Sequence, residues 1–507
     1  MKKSVKKISI MVSVFTAITL ILSLLFAAFF RSLLTNRKTL FSFKKFINGF
    51  KDIGTYKLFI FIWLAFVVLI TVYFLKIKLT NKEKKNVFKT FEGMPLKKYL
   101  DLYDPNISTF ATNSFKDFPK GIIINSWFKT RNLHFNALEN VHGIVVSSSI
   151  KLMDMFFVFP MLSLNAQGTI KPCFVVSDFY EETYQNTSKT FLDNGYNVLR
   201  INLLDSSRTI KFNPFYPLVK LRSLNKISEE KIDTFISDVA MMIAGFKLKK
   251  TDKYYSQTVK LFAGIIFELS TSSSLENVFT FKDIYKLVSL DFSTFLKTFP
   301  SKNQDVSKYS LAFIKNYTKE TGQIILELAE EALAEFLTVP ILKLTEKTEE
   351  ALLSLIEPTI IYIATNKSKV NNRLTTILTY ALTLLFEETK ETYCLSHELE
   401  TFIDIKNFSS LLEKTKDVHF LFLENNIETL QKIFENESFG FKMLLDTKDE
   451  KLTAWFQKGV NRSENSEEIA LMPLVIGDSY FLSKTNVLVK TKLVPYFDQR
   501  CVRTKIF

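Results

Sequence analysis

Residues 173–203, CFVVSDFYEETYQNTSKTFLDNGYNVLRINL, decide the fold class. Two β-rich runs, 173–178 and 197–203, flank a polar stretch at 181–194 that can be helical. Strand, helix and strand in about 30 residues read as a βαβ unit, whose strands pair in parallel. The first run opens with four consecutive apolar residues, the pattern of a strand covered on both faces.

Working outward, the same alternation continues. GIIINSW (121–127) and HGIVVSSS (142–149) are strand-like, and 150–165 can be helical. Residues 228–356 then lack strand signals. VAMMIAGF, TVKLFAGIIFEL and ILELAEEALAEFL carry apolar faces of helical period, which predicts an all-α insert. Strand-like text returns at 359–365, 393–399, 418–424 and 441–447, with a helical 371–388 between the first two. The expected fold class is α/β, a parallel sheet interrupted by a helical unit and then resumed.

Upstream lies a different kind of text. Residues 8–30 are 23 positions without a charge, long enough to cross about 30 Å of hydrocarbon as a helix. Residues 58–75 form a second apolar run with Trp63 and Tyr73 as interface anchors. The first run exceeds a usual signal-peptide core, so a retained helix is favoured. The 27-residue connection has seven basic residues, against nine on the two outer flanks, and the positive-inside rule alone does not set the orientation. Phe43, Phe46, Ile47 and Phe50 in that connection share a helical stripe suited to a lipid surface or a packing partner.

The net charge of +14 in 507 residues invites a nucleic-acid reading. Its location argues otherwise. Residues 1–90 hold 17 Lys and Arg against Asp52 and Glu83, and the remaining chain is close to neutral. The excess flanks the membrane runs and is no sign of a DNA-binding face. Cys173, Cys394 and Cys501 stand at no disulfide or metal spacing, and the four histidines are scattered. Only 13 glycines leave few places for a glycine-rich phosphate loop.

The order of the pieces resembles the type IV coupling proteins, the TraG/TraD family of conjugative DNA-transfer ATPases. HGIVV followed by VFPML (158–162) is similar to the family's strand, phosphate loop and helix. VVSDFYEE (175–182) is similar to its VVTDPKGE, and FNPF (212–215) to its NPL. TDKYYSQTVKLFAGIIFEL and TFKDIYKLVSL resemble its all-α domain, PTIIYIATN its return to the sheet, and VLVKTKLVPYFDQR its closing segment. The resemblance covers roughly 105–503. It implies a membrane hairpin over 1–90, a RecA-like P-loop-type domain over 91–227 and 357–507, and an all-α insert over 228–356. It also implies a multi-pass protein of the cell membrane with its soluble part in the cytoplasm. The implied partners are the type IV secretion machinery, a relaxase–DNA complex, membrane lipid, and either an intact paralogue or a homo-hexamer.

Where the family's chemistry belongs, the residues differ. A phosphate loop, G-x-x-x-x-G-K-[ST], needs glycines for close backbone approach, lysine for the β/γ oxygens and a hydroxyl for Mg²⁺. Placing Pro160 on the family's helix proline sets that octet on SSSIKLMD, with Ser147, Ser148 and Ser149 leading it. The glycines become Ser147 and Leu152, the lysine Met153, and the hydroxyl residue Asp154; Lys151 sits two positions early. The family's Asp-Glu strand end aligns with His397 and Glu398, leaving Glu398 as a catalytic remnant or a plain strand-end carboxylate. The sensing glutamine falls at or near Glu424, and Asp178 suits a helix cap better than a metal ligand. The leading expectation is a catalytically degenerate scaffold or docking subunit. No cofactor is expected, in contrast to the ATP and Mg²⁺ of intact members. Two other readings stay open: an active DNA-translocating ATPase with an unorthodox site, and a fold-only membrane protein that binds a protein partner.

Overall fold

A computed structural model describes Ile60, 107–111, 121–125, 131–135 and most of 142–493. Within that last range it leaves out 206, 208, 225–228, 299–313, 315, 353–356, 387–390, 404–411, 413–416, 434–438, 447, 462–473, 475–477 and 484–487. The chain divides into two compact units, Met1–Met94 and Pro95–Phe507. The expected spans 8–30 and 58–75 and the Phe43–Phe50 stripe lie outside the described residues, apart from Ile60. Among the described residues no helix is long and apolar enough to cross a membrane.

The second unit is mixed α/β. Three short strands, β1 (Ile107–Ala111), β2 (Ile122–Asn125) and β3 (Arg131–Phe135), pair antiparallel in the order β1-β3-β2. The main sheet starts with β4 (Gly143–Val146), β5 (Cys173–Phe179) and β6 (Asn197–Asn202). It resumes with β7 (Thr359–Thr365), β8 (Thr392–Ser396), β9 (Val418–Glu424) and β10 (Phe441–Leu444). Strands β11 (Asp478–Ser483) and β12 (Leu488–Lys492) close it. The nine run β12-β11-β10-β4-β9-β8-β5-β7-β6. From β10 to β6 every pairing is parallel, and β11 and β12 add antiparallel at one edge.

The parallel strands are apolar runs because helices cover both faces; β7, β8 and β9 are buried at every position. His142 pins the start of β4. Its Nε2 donates to the Leu412 carbonyl at 2.5 Å, and its Nδ1 accepts from the Phe420 amide at 3.0 Å. Burial pushes this imidazole down to about 3, so it is a neutral structural group.

After β4 the chain enters α1 (Ile150–Met153), widens into a π-turn over Asp154–Val158 and continues as α2 (Phe159–Gln167). Pro160 accounts for the widening, since it has no N–H and its ring crowds the preceding turn. Helix α3 (Glu182–Asp193) joins β5 to β6, and α4 (Tyr216–Ser223) follows β6. Among the described residues between β6 and β7 there are helices joined by turns and loops, no strand, and one isolated bridge between Ser274 and Asn277. It comprises α5 (Glu229–Ala244), α6 (Tyr255–Ser272), α7 (Phe281–Val288), α8 (Phe292–Thr298), α9 (Lys319–Ala334) and α10 (Val339–Thr345). Thr280 and Asp283 form a capping box that starts α7, and the Thr318 hydroxyl accepts from Thr321 N–H to start α9.

Helix α11 (Lys369–Phe386) is the seam between sheet and helices, and it is buried at every residue from Arg373 to Phe386. Two of its threonines satisfy their hydroxyls inside the helix, Thr376 on Asn372 O at 2.9 Å and Thr383 on Tyr380 O at 2.7 Å, while Thr375 donates to the Thr365 hydroxyl on β7 at 3.2 Å. Tyr380 donates to Asp238 on α5 at 3.1 Å, and burial raises that carboxyl to about 7. Helices α12 (Leu399–Ile403), α13 (Ile427–Lys432) and α14 (Glu450–Asn461) complete the cover.

Candidate functional site

Parallel strands gather function at their carboxyl ends, where the loops and helix N-termini converge. Here the ends of β4, β5, β8, β9 and β10 bring together most of the residues singled out above. Strand β4 has β9 on one side and β10 on the other, so the turn after it is flanked by the ends of both.

That turn is short. Only Ser147, Ser148 and Ser149 separate β4 from α1. The positions aligned with the second half of a phosphate loop are therefore already helical. Ser147 is buried and its hydroxyl donates to Asp446 Oδ2 at 2.5 Å. Ser148 N–H donates to the same oxygen at 3.0 Å, and Ser149 N–H to Ser147 Oγ at 3.2 Å. Asp446 follows β10, and its other oxygen accepts from Lys448 N–H at 3.1 Å. The chain's own carboxylate thus takes donors that a phosphate loop turns toward its ligand. Lys151 is exposed in the first helical turn, while Met153 is fully buried.

Asp178, fully buried at the end of β5, caps α3. Its two oxygens accept from Thr183 N–H and Tyr184 N–H, both at 2.8 Å. Burial outweighs those bonds and raises it to about 6. Asp154 is 6% exposed, and burial, then Asp178 and Glu182, raise it to about 7. Glu398 accepts from Ser177 Oγ at 2.6 Å and Ser396 Oγ at 2.7 Å, and burial raises its carboxyl too. Glu424 accepts from Asn425 N–H at 2.9 Å and Asn426 N–H at 2.7 Å; burial raises it to about 7. The His397 ring lies 4.7 Å from Phe179, and burial with the Lys367 charge pushes it down to about 3.

Two non-glycine residues between β5 and α3, Tyr180 and Glu181, have left-handed backbones, with φ of 57° and 66°. Glu181 is held there by Arg200 and by Asn202 Nδ2 at 2.6 Å. Tyr180 is 61% exposed. Asparagine tolerates this conformation better, so Tyr180→Asn should raise unfolding free energy by roughly 0.5 kcal/mol, measured by denaturant titration.

Chemically the edge is an array of buried carboxylates with hydroxyl and amide donors turned inward. At the turn after β4 the donors of Ser147 Oγ and Ser148 N–H are taken by Asp446. Among the described residues no three His, Cys, Asp or Glu side chains could hold a metal ion. The sequence reading missed Asp446. Its available signal was an acidic residue just past the strand-like FKMLL run.

No family model matches the chain, and no curated protein matches it. Among solved structures it is similar to the bacterial conjugative coupling protein TrwBdeltaN70 in its unbound monoclinic form. That likeness has 10% identity and a TM-score of 0.48, over 70% of this chain and 85% of that one. The trigonal form of the same protein, in complex with sulphate, gives 12% identity and a TM-score of 0.48, over 70% of this chain and 86% of that one.

Proposed function

We propose that the chain is a membrane-anchored, coupling-protein-like component of a conjugative DNA-transfer machine, working as a scaffold or docking subunit without nucleotide turnover. One observation carries the second half of this reading: Asp446 occupies the Ser147 hydroxyl and the Ser148 N–H at the end of β4. The first half is supported by the order of family-like segments along the sequence and by a parallel sheet with helical residues between β6 and β7. The membrane anchor rests on the charge-free run at 8–30 and the apolar run at 58–75. The partners proposed are the transfer machinery and an intact, nucleotide-hydrolysing relative.

The test is complementation in donor cells. Deleting the gene should abolish DNA transfer, and both the wild-type chain and Glu398→Gln should restore it. Unchanged transfer after deletion would remove the scaffold role. Failure of a folded, membrane-associated Glu398→Gln variant to restore transfer would favour an active ATPase instead.

A further inference from the structure

Helix α11 leaves the sheet from β7 and packs along α5, so this pair joins the sheet to the helical insert. Three polar contacts line the seam. Lys369 donates to the Phe246 carbonyl, Arg373 Nη1 to the Met242 carbonyl at 3.0 Å, and Tyr380 to Asp238 Oδ2 at 3.1 Å. Rising positions on α11 meet falling positions on and just past α5, so the helices run antiparallel. The two cations meet carbonyls at the C-terminal end of α5, where a helix favours positive charge. Asp238 is different. It is fully buried, the Tyr380 ring packs on Phe235 with centroids 5.1 Å apart, and Asp238 Oδ1 has no hydrogen-bond partner among the described residues. A buried carboxylate with one neutral donor is an uncompensated charge. We propose that Asp238 is a proton-operated latch: its neutral carboxyl holds α5 against α11, and its ionisation loosens the insert from the sheet along this seam.

The helices packed most extensively on α5 are α6, α9 and α11. From α11 the titratable groups are Lys369, Arg373 and Tyr380, placed as above. From α9, Lys319, Glu320, Glu327 and Glu331 are exposed, and Glu330 accepts from Tyr285. From α6, Lys260 is exposed, and Tyr255 and Glu268 are half-buried. On α5 itself, Glu229, Glu230 and Lys231 are exposed and Asp233 is half-buried. Burial, opposed by the Tyr380 hydroxyl, raises Asp238 from the ordinary 3.8 to about 7. The docked seam therefore keeps a proton that the open seam gives up to water. Its advantage is complete below about 4 and is lost as pH rises to about 7. Across that window one linked proton increases the opening constant by up to about tenfold per pH unit.

Hydrogen exchange on the full-length chain in detergent tests this, with labelling times corrected for intrinsic rates at about pH 5, 6, 7, 8 and 9. Peptides covering 235–246 and 373–386 should lose protection between pH 5 and 7 and level off above. Asp238→Asn keeps an acceptor for Tyr380 without the charge, and its protection should be flat. The infrared difference between wild type and Asp238→Asn at pH 6 should contain a protonated-carboxyl band. A flat wild type, a variant with the wild-type slope, or a difference spectrum without that band would overturn the proposal. Should Asp238→Asn fail to fold, Tyr380→Phe serves. It removes the donor that favours the charged form, so the levelling-off should move to higher pH. An unmoved profile in that variant also overturns it.

Discussion

Given ATP and Mg²⁺, the purified full-length chain should show no hydrolysis above background and no saturable nucleotide binding up to about 1 mM, a level of only ~4 kcal/mol. Each charge-assisted hydrogen bond to phosphate is worth roughly 1.5–3 kcal/mol, and a working loop supplies several together with its lysine. Here Ser147 Oγ and Ser148 N–H donate to Asp446, Met153 is buried and uncharged, and helix begins at Ile150. Phosphoryl transfer depends on positioning and charge neutralisation, which Asp154 opposes. Glu398→Gln should leave the background rate unchanged, because its carboxylate is engaged by Ser177 and Ser396. Isothermal calorimetry and a coupled ATPase assay decide the matter. Mg²⁺-dependent turnover that falls in Glu398→Gln would reinstate the active-enzyme reading.

The strands buried on both faces were legible because burial writes itself into composition. TIIYIAT and VHFLFLE read as strands and are β7 and β9 with unchanged bounds. Others shrank. The run at 393–399 ends at Ser396, since Glu398 already leads α12, accepting from Thr401 and Phe402 N–H through its carbonyl. The run at 441–447 ends at Leu444. ISTFA, RNLHF and LVKTK were not read as strands. Short strands of mixed polarity are held by backbone partners, which local sequence does not name. GIIINSW was read as a strand, but its partner is β3 in the small antiparallel sheet.

The site was legible as positions, not as bonds. Ser147 and Asp446 are 299 residues apart, and Ser177 and Glu398 are 221 apart. No local pattern encodes such pairs; only the strand order creates them. The left-handed Glu181 had a signal, because it aligns with the glycine of the family's VVTDPKGE. A glycine site filled by glutamate calls for a compensating anchor, which Arg200 and Asn202 provide.

The largest stability loss should come from Glu398→Ala, about 2–4 kcal/mol, because it removes the acceptor of two buried hydroxyls at once. Ser177 and Ser396 lie on the adjacent strands β5 and β8 and converge on one carboxylate, which ties the two strand ends together. Without it, both hydroxyls lose their acceptor beside a small cavity. Glu398→Gln should cost less than half as much. Its amide oxygen keeps one serine, and its NH₂ can donate to the other once that hydroxyl turns. The double variant Ser177→Ala with Glu398→Ala should cost less than the sum of the singles, since each single leaves the other group unpaired. Urea denaturation of the four chains gives the coupling. A Glu398→Ala cost near zero would mean that water replaces the carboxylate, and that the strand ends are held by backbone pairing alone.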